Sequence, residues 1–280
     1  MPVRAAGPPT RSIRGVLGLS DDLALALELA DVADAITMAR FRAADLVVET
    51  KPDMTPVSEA DRDVEQALRA RLERQCPDDS IFGEEYGERH SGSPLSRRWI
   101  VDPIDGTKGY VRGMPVWATL LALEDEGVLS TAVVSAPAMR RRWWASAGGG
   151  AFVREQGEGS APRRLRVSAI DQIHAAQLSY GGLEEWRASG RLDGLLALSD
   201  RCWRTRGFGD FWQYMLVADG QVEICADPTV SLWDLAAPML VVQEAGGRFT
   251  DFTGAATAAG GDAVASNGLL HDAALAALGS

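Results

Sequence analysis

Asp102-Pro103-Ile104-Asp105-Gly106-Thr107 sets two carboxylates three residues apart, directly after the apolar run Trp99-Ile100-Val101. At the end of a buried strand two such groups repel each other unless a cation lies between them. Pro103 stiffens the turn and Gly106 lets the backbone approach a ligand. Thr107 adds a hydroxyl at a helix or turn start, where free N–H groups favour an anion. An ordinary turn draws on the same residue types, but six of them in this order exceed what a turn requires. The other acids are weaker signals taken singly. Gly83-Glu84-Glu85 reads first as a solvated loop. Trp233-Asp234-Leu235-Ala236-Ala237-Pro238 opens an apolar helix with an acid, which the helix dipole alone would explain. Asp61 is accounted for as the acid of a capping box, Ser58-Glu59-Ala60-Asp61.

Several familiar chemistries are excluded. Neither lysine follows a glycine, so there is no phosphate-binding GxxxxGK[ST] loop, and Gly207-Phe208-Gly209 lacks the third glycine of a dinucleotide fingerprint. No cysteine has an arginine six positions later, and no GxSxG elbow occurs. His90, His174 and His271 are too scattered for an HExxH-type zinc site and read as surface or structural residues.

The elements that must hold the acids can be traced along the chain. Ser20 with Asp21 and Asp22 caps a first helix running to about Phe41. Two prolines make the segment from Glu49 to Val57 a loop or edge hairpin, and a second helix runs from Ser58 until Pro77. The strand Trp99–Val101 should stop at Asp102. Strands at Val116–Leu123 and Val128–Ser135, then a hairpin around Gly148-Gly149-Gly150, predict an antiparallel sheet. The polar stretch 154–164 is the best candidate for a boundary. Beyond it strands at Ala176–Tyr180, Val222–Cys225, Arg248–Phe252 and Ala263–Ser266 alternate with helices at Glu184–Ala197, Asp210–Ala218 and Trp233–Ala245. The expectation is a layered α/β protein. It has a disordered tail over 1–19, an α+β half over 20–160 with most of the chemistry-bearing acids, and an α/β half over 161–280.

The 280 residues carry 28 basic and 39 acidic side chains, a net charge of −11 that argues against nucleic acid and anionic membranes as partners. No apolar run approaches the roughly 18 residues of a membrane span. Three scattered cysteines, Cys76, Cys202 and Cys225, point to a reducing compartment, the cytoplasm. Lys51 and Lys108 are the chain's two lysines among arginines. Chance explains the pair; a preference for a compact ammonium at two places is the alternative.

In order and spacing, Gly83-Glu84-Glu85, the DPIDGT run at 102–107, WDLAAP at 233–238 and Glu244-Ala245-Gly246-Gly247 resemble the inositol-monophosphatase-like family of Mg²⁺-dependent, lithium-sensitive phosphatases. The likeness extends from about residue 21 to 275. Thr50-Lys51-Pro52-Asp53-Met54-Thr55-Pro56-Val57, Arg112-Gly113-Met114-Pro115-Val116-Trp117, Gly209-Asp210-Phe211 and Ser266-Asn267-Gly268-Leu269-Leu270-His271 resemble its histidinol-phosphate phosphatase branch. Gly109-Tyr110 departs from the family's usual Asn-Phe pair.

The resemblance implies the inositol-monophosphatase-like sugar phosphatase fold and hydrolysis of L-histidinol phosphate, a step of histidine biosynthesis. Inositol 1-phosphate or another small phosphomonoester is the alternative substrate, and a regulatory or RNA-associated protein on the same scaffold is a further one. It implies Glu84, Asp102, Asp105, Asp234 and the carbonyl of Ile104 as ligands of two or three Mg²⁺, a hard cation suited to oxygen donors. Asp61, Thr107 and Glu84 would be catalytic, with Thr107 relaying a proton from water to Asp61. Asp105, Gly106, Thr107, Arg204, Asp210, Asp227 and Asp234 would surround the substrate. The resemblance also implies a homodimer, in which some of the eight tryptophans could sit at the interface.

Overall fold

The computed structural model describes residues 20–52, 54–92, 97–155 and 160–279. The expected tail over 1–19 and Asp53 of the Thr50–Val57 motif lie outside the described residues.

Two helices come first. Helix α1 spans Asp21–Arg40, with the Ser20 hydroxyl accepting the Leu23 N–H at 3.2 Å. Helix α2 spans Glu59–Gln75 and begins at the capping box read from the sequence. Between them β1 (Val48–Thr50) and β2 (Pro56–Ser58) form the expected antiparallel hairpin. An eight-stranded sheet follows, built from β3 (Ser80–Gly83), β4 (Gly87–Arg89), β5 (Arg98–Asp105), β6 (Ala118–Asp125), β7 (Val128–Ala136), β8 (Arg141–Ser146), β9 (Gly150–Glu155) and β10 (Arg163–Arg164), in the order β10-β9-β8-β7-β6-β5-β3-β4. One-turn helix α3 (Thr107–Tyr110) leaves the end of β5.

The second sheet has five strands, β11 (Gln177–Tyr180), β12 (Arg204–Arg206), β13 (Ile224–Asp227), β14 (Arg248–Thr250) and β15 (Ala263–Ser266), in the order β12-β11-β13-β15-β14. Its helices are α4 (Leu183–Ala188), α5 (Leu192–Arg201), α6 (Asp210–Ala218), α7 (Leu232–Glu244) and α8 (His271–Leu278).

Strand residues alternate between faces, so each sheet can be covered on both sides. Trp99, Val101, Leu121 and Val133 pack under Leu23, Leu29, Val64 and Leu68 of α1 and α2. From the opposite face Ile100, Leu120 and Val134 meet α6 and α7, which also pack on Cys225, Phe249 and Ala265 of the second sheet. Trp186, Leu195 and Ala274, from α4, α5 and α8, close that sheet's outer face. The result is five layers, αβαβα. Helix α7 is buried without a break from Leu235 to Val242 because it lies between the two sheets, which is why it is apolar on all sides. Each large side chain buried here contributes roughly 1.5–3 kcal/mol.

Three local expectations need correction. Strand β5 does not end at Asp102 but runs through Asp105, with a register shift between them: Asp102 pairs with Leu120 and Asp105 with Ala118. Pro103 has no N–H for the ladder, and the extra residue makes a bulge there. The single helix expected over Glu184–Ala197 is two helices, α4 and α5, broken at Ser189-Gly190-Arg191, where Gly190 has φ +73°. Within the polar stretch 154–164, Arg163–Arg164 return to the first sheet beside β9.

Candidate active site: a cleft at five strand ends

Glu84 and Asp102 are neighbours because β3 and β5 run parallel with Gly83 opposite Val101, so the chain leaves both strands side by side. The Glu84 N–H donates to the Val101 carbonyl at 3.2 Å. In the second sheet β11 is parallel to both β12 and β13, with Tyr180 opposite Ala226 and Ser179 opposite Arg206. Gly181, Gly207 and Asp227 therefore emerge together. The carboxyl ends of all five parallel strands open on one cleft of about 540 Å³, the position at which α/β sheets bind ligands.

Asp102 and Asp105 would point to opposite faces of a regular strand, being three residues apart. The bulge at Pro103 brings them to the same side. Each offers an oxygen that lies within 4.8 Å of the other's and of one from Asp234. Asp102 is 1% exposed and its Oδ1 has no hydrogen-bond partner. Burial first, and then the charges of Glu84, Asp105 and Asp234, holds its carboxyl well above the usual carboxylate range. Asp105 is raised likewise by burial and by Asp210 and Asp234, although its Oδ2 accepts the Phe211 N–H at 2.5 Å. Asp234 is the N3 acid of the α7 capping box; burial pushes it up to about 7 against the 2.8 Å hydrogen bond from the Ser231 N–H. An orphaned buried oxygen inside a group of crowded acids fits a divalent cation with oxygen ligands, such as Mg²⁺.

Asp61 is completely buried and divides its two oxygens. Oδ2 accepts the N–H and hydroxyl of Ser58, at 2.8 and 2.5 Å, and Oδ1 faces the Thr107 hydroxyl at 3.1 Å. The capping role read from the sequence and a contact to Thr107 thus coexist in one side chain. Burial raises its pKa, against the hydrogen bonds from Ser58 and Thr107. The Thr107 hydroxyl also lies 2.8 Å from the carbonyl oxygen of Ile104. Gly106 has φ +83°, and a Cβ there would meet the Val116 carbonyl at 3.1 Å, so glycine is required on both counts.

The remaining residues divide. Asp227 and Asp210 line the cleft; Arg204 does not, being exposed on the edge strand β12. The Asp227 carboxylate accepts the Gln213 amide and, at 2.5 Å, the Tyr214 hydroxyl, and burial lifts it to about 7. Asp210 starts α6 with φ +46° and makes no side-chain cap, so the helix-cap reading finds no support. The cleft walls raise its pKa, opposed by Lys108.

Residues not picked out for the site from sequence also appear here. Lys51 donates to Glu84 at 2.8 Å and to Glu85 at 2.6 Å, and Lys108 lines the cleft, so both lysines of the chain stand at the site. Their isolation among arginines was the available signal. Glu85 is nearly buried rather than solvated, and burial pushes it to about 7 against Lys51. Glu184, Glu185, Tyr180 and Phe208 also line the cleft. Tyr110, at the departure from Asn-Phe, is 1% exposed; its hydroxyl donates to the Thr37 carbonyl at 2.8 Å. His90 and His174 are exposed, while His271 is buried between the hydroxyls of Thr250 and Ser266, each at 2.9 Å.

A layered fold with acids gathered at these strand ends belongs to a known class. The chain is a member of the inositol monophosphatase family, whose model matches residues 19–280. It is 54% identical over 258 residues to the histidinol-phosphatase of Mycobacterium tuberculosis, covering 92% of this chain and 98% of the relative. Identity to the histidinol-phosphatase of Chlorobaculum parvum is 37%, over 94% and 98% of the two chains. The suhB protein of Bartonella henselae superposes with a TM-score of 0.83 at 27% identity, covering 92% of this chain and 98% of that one. The expected fold is the observed one. Among the described residues no helix is long and apolar enough to cross a membrane.

Proposed function

We propose that this chain hydrolyses L-histidinol phosphate to L-histidinol and inorganic phosphate, a step of histidine biosynthesis, with two or three Mg²⁺ in the cleft. One observation carries the reading: the cleft that holds the acid cluster carries further acids in its wall. These are Asp210, Asp227, Glu184 and Glu185, and Lys108 is the one cation among the described lining residues. A phosphorylated substrate whose other end carries an ammonium and an imidazole matches such a wall; a neutral polyol gains less from it. The 54% identity to a histidinol-phosphatase supports the same substrate.

Glu84, Asp102, Asp105, Asp234 and the Ile104 carbonyl would hold the metal, which when bound lowers the pKa of water and offsets the charge of phosphate. The other roles fall to the chain itself. The Thr107 hydroxyl would take a proton from the attacking water while passing its own to Asp61; its hydrogen bond to Asp61 and the raised pKa of that carboxyl support the pair. Main-chain N–H groups where Gly106 leads into α3 have no intrahelical acceptor and would hold a phosphate oxygen. Asp210 and Asp227 would meet the cationic end of the substrate; Arg204, exposed on β12, is not among the residues that line the cleft with them. The same reading takes the protein as a homodimer in the cytoplasm. Its three free thiols suit that compartment. Seven of the eight tryptophans are buried or half-buried within the chain, leaving Trp203, 67% exposed, as the one suited to an interface.

Phosphate release from L-histidinol phosphate and from inositol 1-phosphate, each with Mg²⁺ and with EDTA, tests the proposal. Mg²⁺-dependent preference for histidinol phosphate is expected. Preference for inositol phosphate overturns the substrate, and no release from either overturns the activity.

A further inference from the structure

Asp61, Glu65 and Arg69 recur at every fourth residue of α2, one turn apart, and each reaches a different part of the chain. Asp61 meets Thr107. Glu65 is completely buried. Its Oε2 accepts the Glu85 N–H at 2.7 Å, and its Oε1 accepts the Tyr86 N–H at 3.2 Å and the Arg69 Nε–H at 2.8 Å. Arg69 in turn donates to the Gly87 carbonyl and lies 5.9 Å over the Tyr86 ring. One ion pair on one helix therefore grips the turn that follows Glu84 by two N–H groups, a carbonyl and a ring.

Gly83 fits the same arrangement. A Cβ there would fall 2.1 Å from Glu65 Oε1, so the residue before the Glu84-Glu85 pair is glycine because the Glu65 carboxylate occupies its side-chain space. We propose that Glu65 is the positioning residue for Glu84: it fixes the 83–87 turn and thereby the place of the Glu84 carboxylate beside Asp102. An apolar pair could fill the volume of Glu65 and Arg69, but it could not accept two backbone N–H groups. The proposal rests on the reading of Glu84 as a metal ligand.

The test is Mn²⁺ binding to the metal-stripped full chain, followed by the electron paramagnetic resonance of free Mn²⁺, together with thermal melts and amide hydrogen exchange across 83–87. Glu65→Gln keeps the shape but sets an NH₂ group against a backbone N–H. It is expected to melt cooperatively, to bind Mn²⁺ about tenfold or more weakly, as loss of a ligand-orienting partner does, and to speed exchange at the Glu85 and Tyr86 amides. Wild-type Mn²⁺ affinity in a folded Glu65→Gln, with Glu84→Gln weakened, overturns the proposal and leaves Glu65 a packing residue. Wild-type affinity in Glu84→Gln overturns the ligand reading instead. Should Glu65→Gln not fold, Gly83→Ala, which keeps the carboxylate but displaces it, decides: a tenfold loss is expected, and an unchanged affinity overturns the proposal.

Discussion

The main-chain N–H of Phe211 donates to Oδ2 of Asp105 across 2.5 Å, so the first turn of α6 is fastened to a carboxylate at the end of β5. Two consecutive left-handed residues, Gly209 at φ +68° and Asp210 at φ +46°, precede that N–H. The C-terminal part of the chain is thereby tied to the acid cluster of the first sheet, and Asp210 is turned into the cleft by the same bend.

Asp105→Asn is expected to lower Mg²⁺-dependent turnover by more than about 100-fold. It also removes one charge from a crowded, buried group of acids, so the metal-free variant should melt no lower than the wild type. Its gain in melting temperature on adding Mg²⁺ should shrink. Thermal melts with EDTA and with Mg²⁺ check both points, and near-normal activity would contradict the metal assignment.

Thr107→Val deletes the hydroxyl that joins Asp61 to the Ile104 carbonyl. A proton relay predicts a fall in kcat of about 10²–10⁴ with KM little changed, and Thr107→Ser should recover most of it. A rise in KM alone would make Thr107 a binding residue.

Asp227 and Asp234 are raised to about 7, and Asp102 and Asp105 well above their ordinary range, chiefly by burial. The folded, metal-free protein thus keeps protons that the unfolded chain sheds near the ordinary value of 3.8. This contribution is complete below that value and is lost as pH rises through about 7. With EDTA, stability from these acids falls between about pH 4 and 7. Mg²⁺ takes the deprotonated form, so its affinity rises over the same span and binding releases protons. Calorimetry near pH 6.5 in two buffers of different ionisation enthalpy measures the release; equal apparent enthalpies would sink the account.

Asp210→Asn keeps a residue type that tolerates φ +46° and removes the charge. Turnover of histidinol phosphate should fall more than that of a small phosphomonoester without a cationic group. Equal losses on the two would assign Asp210 to the shape of the α6 entry alone.

Tyr110→Phe deletes a buried hydroxyl bonded to the Thr37 carbonyl. The expected cost is about 1 kcal/mol of stability with unchanged kcat, read from urea unfolding beside a steady-state assay.

What could be read in the sequence was local. Ser58, three residues before Asp61, gives the start of α2, an acid ahead of an apolar run marks the first turn of α7, and the DPIDGT run brings Asp105, Gly106 and Thr107 to the cleft. Neighbours across strands could not be read so. Nothing near Glu84 in the chain says that β3 lies parallel to β5, and that pairing alone sets Glu84 beside Asp102. The spacing of Asp102 and Asp105 argued for a strand end, whereas a bulge around Pro103 lets the strand continue. Motif likeness points to Arg204, whereas its place at the start of the edge strand β12 keeps it out of the cleft. Glu65 had only the spacing 61, 65, 69 to mark it, which any exposed charged helix face can share.

The placement of the two lysines also fixes how this protein meets amine-directed reagents. Lys108 is exposed in the cleft and Lys51 lies against Glu84 and Glu85, while every other basic side chain is arginine or histidine. Among lysine side chains, acylation or immobilisation finds only Lys108 in the cleft and Lys51 beside Glu84 at its edge. A resin or label that is harmless to most proteins would here act at the cleft itself, and coupling through engineered thiols away from it is the safer choice.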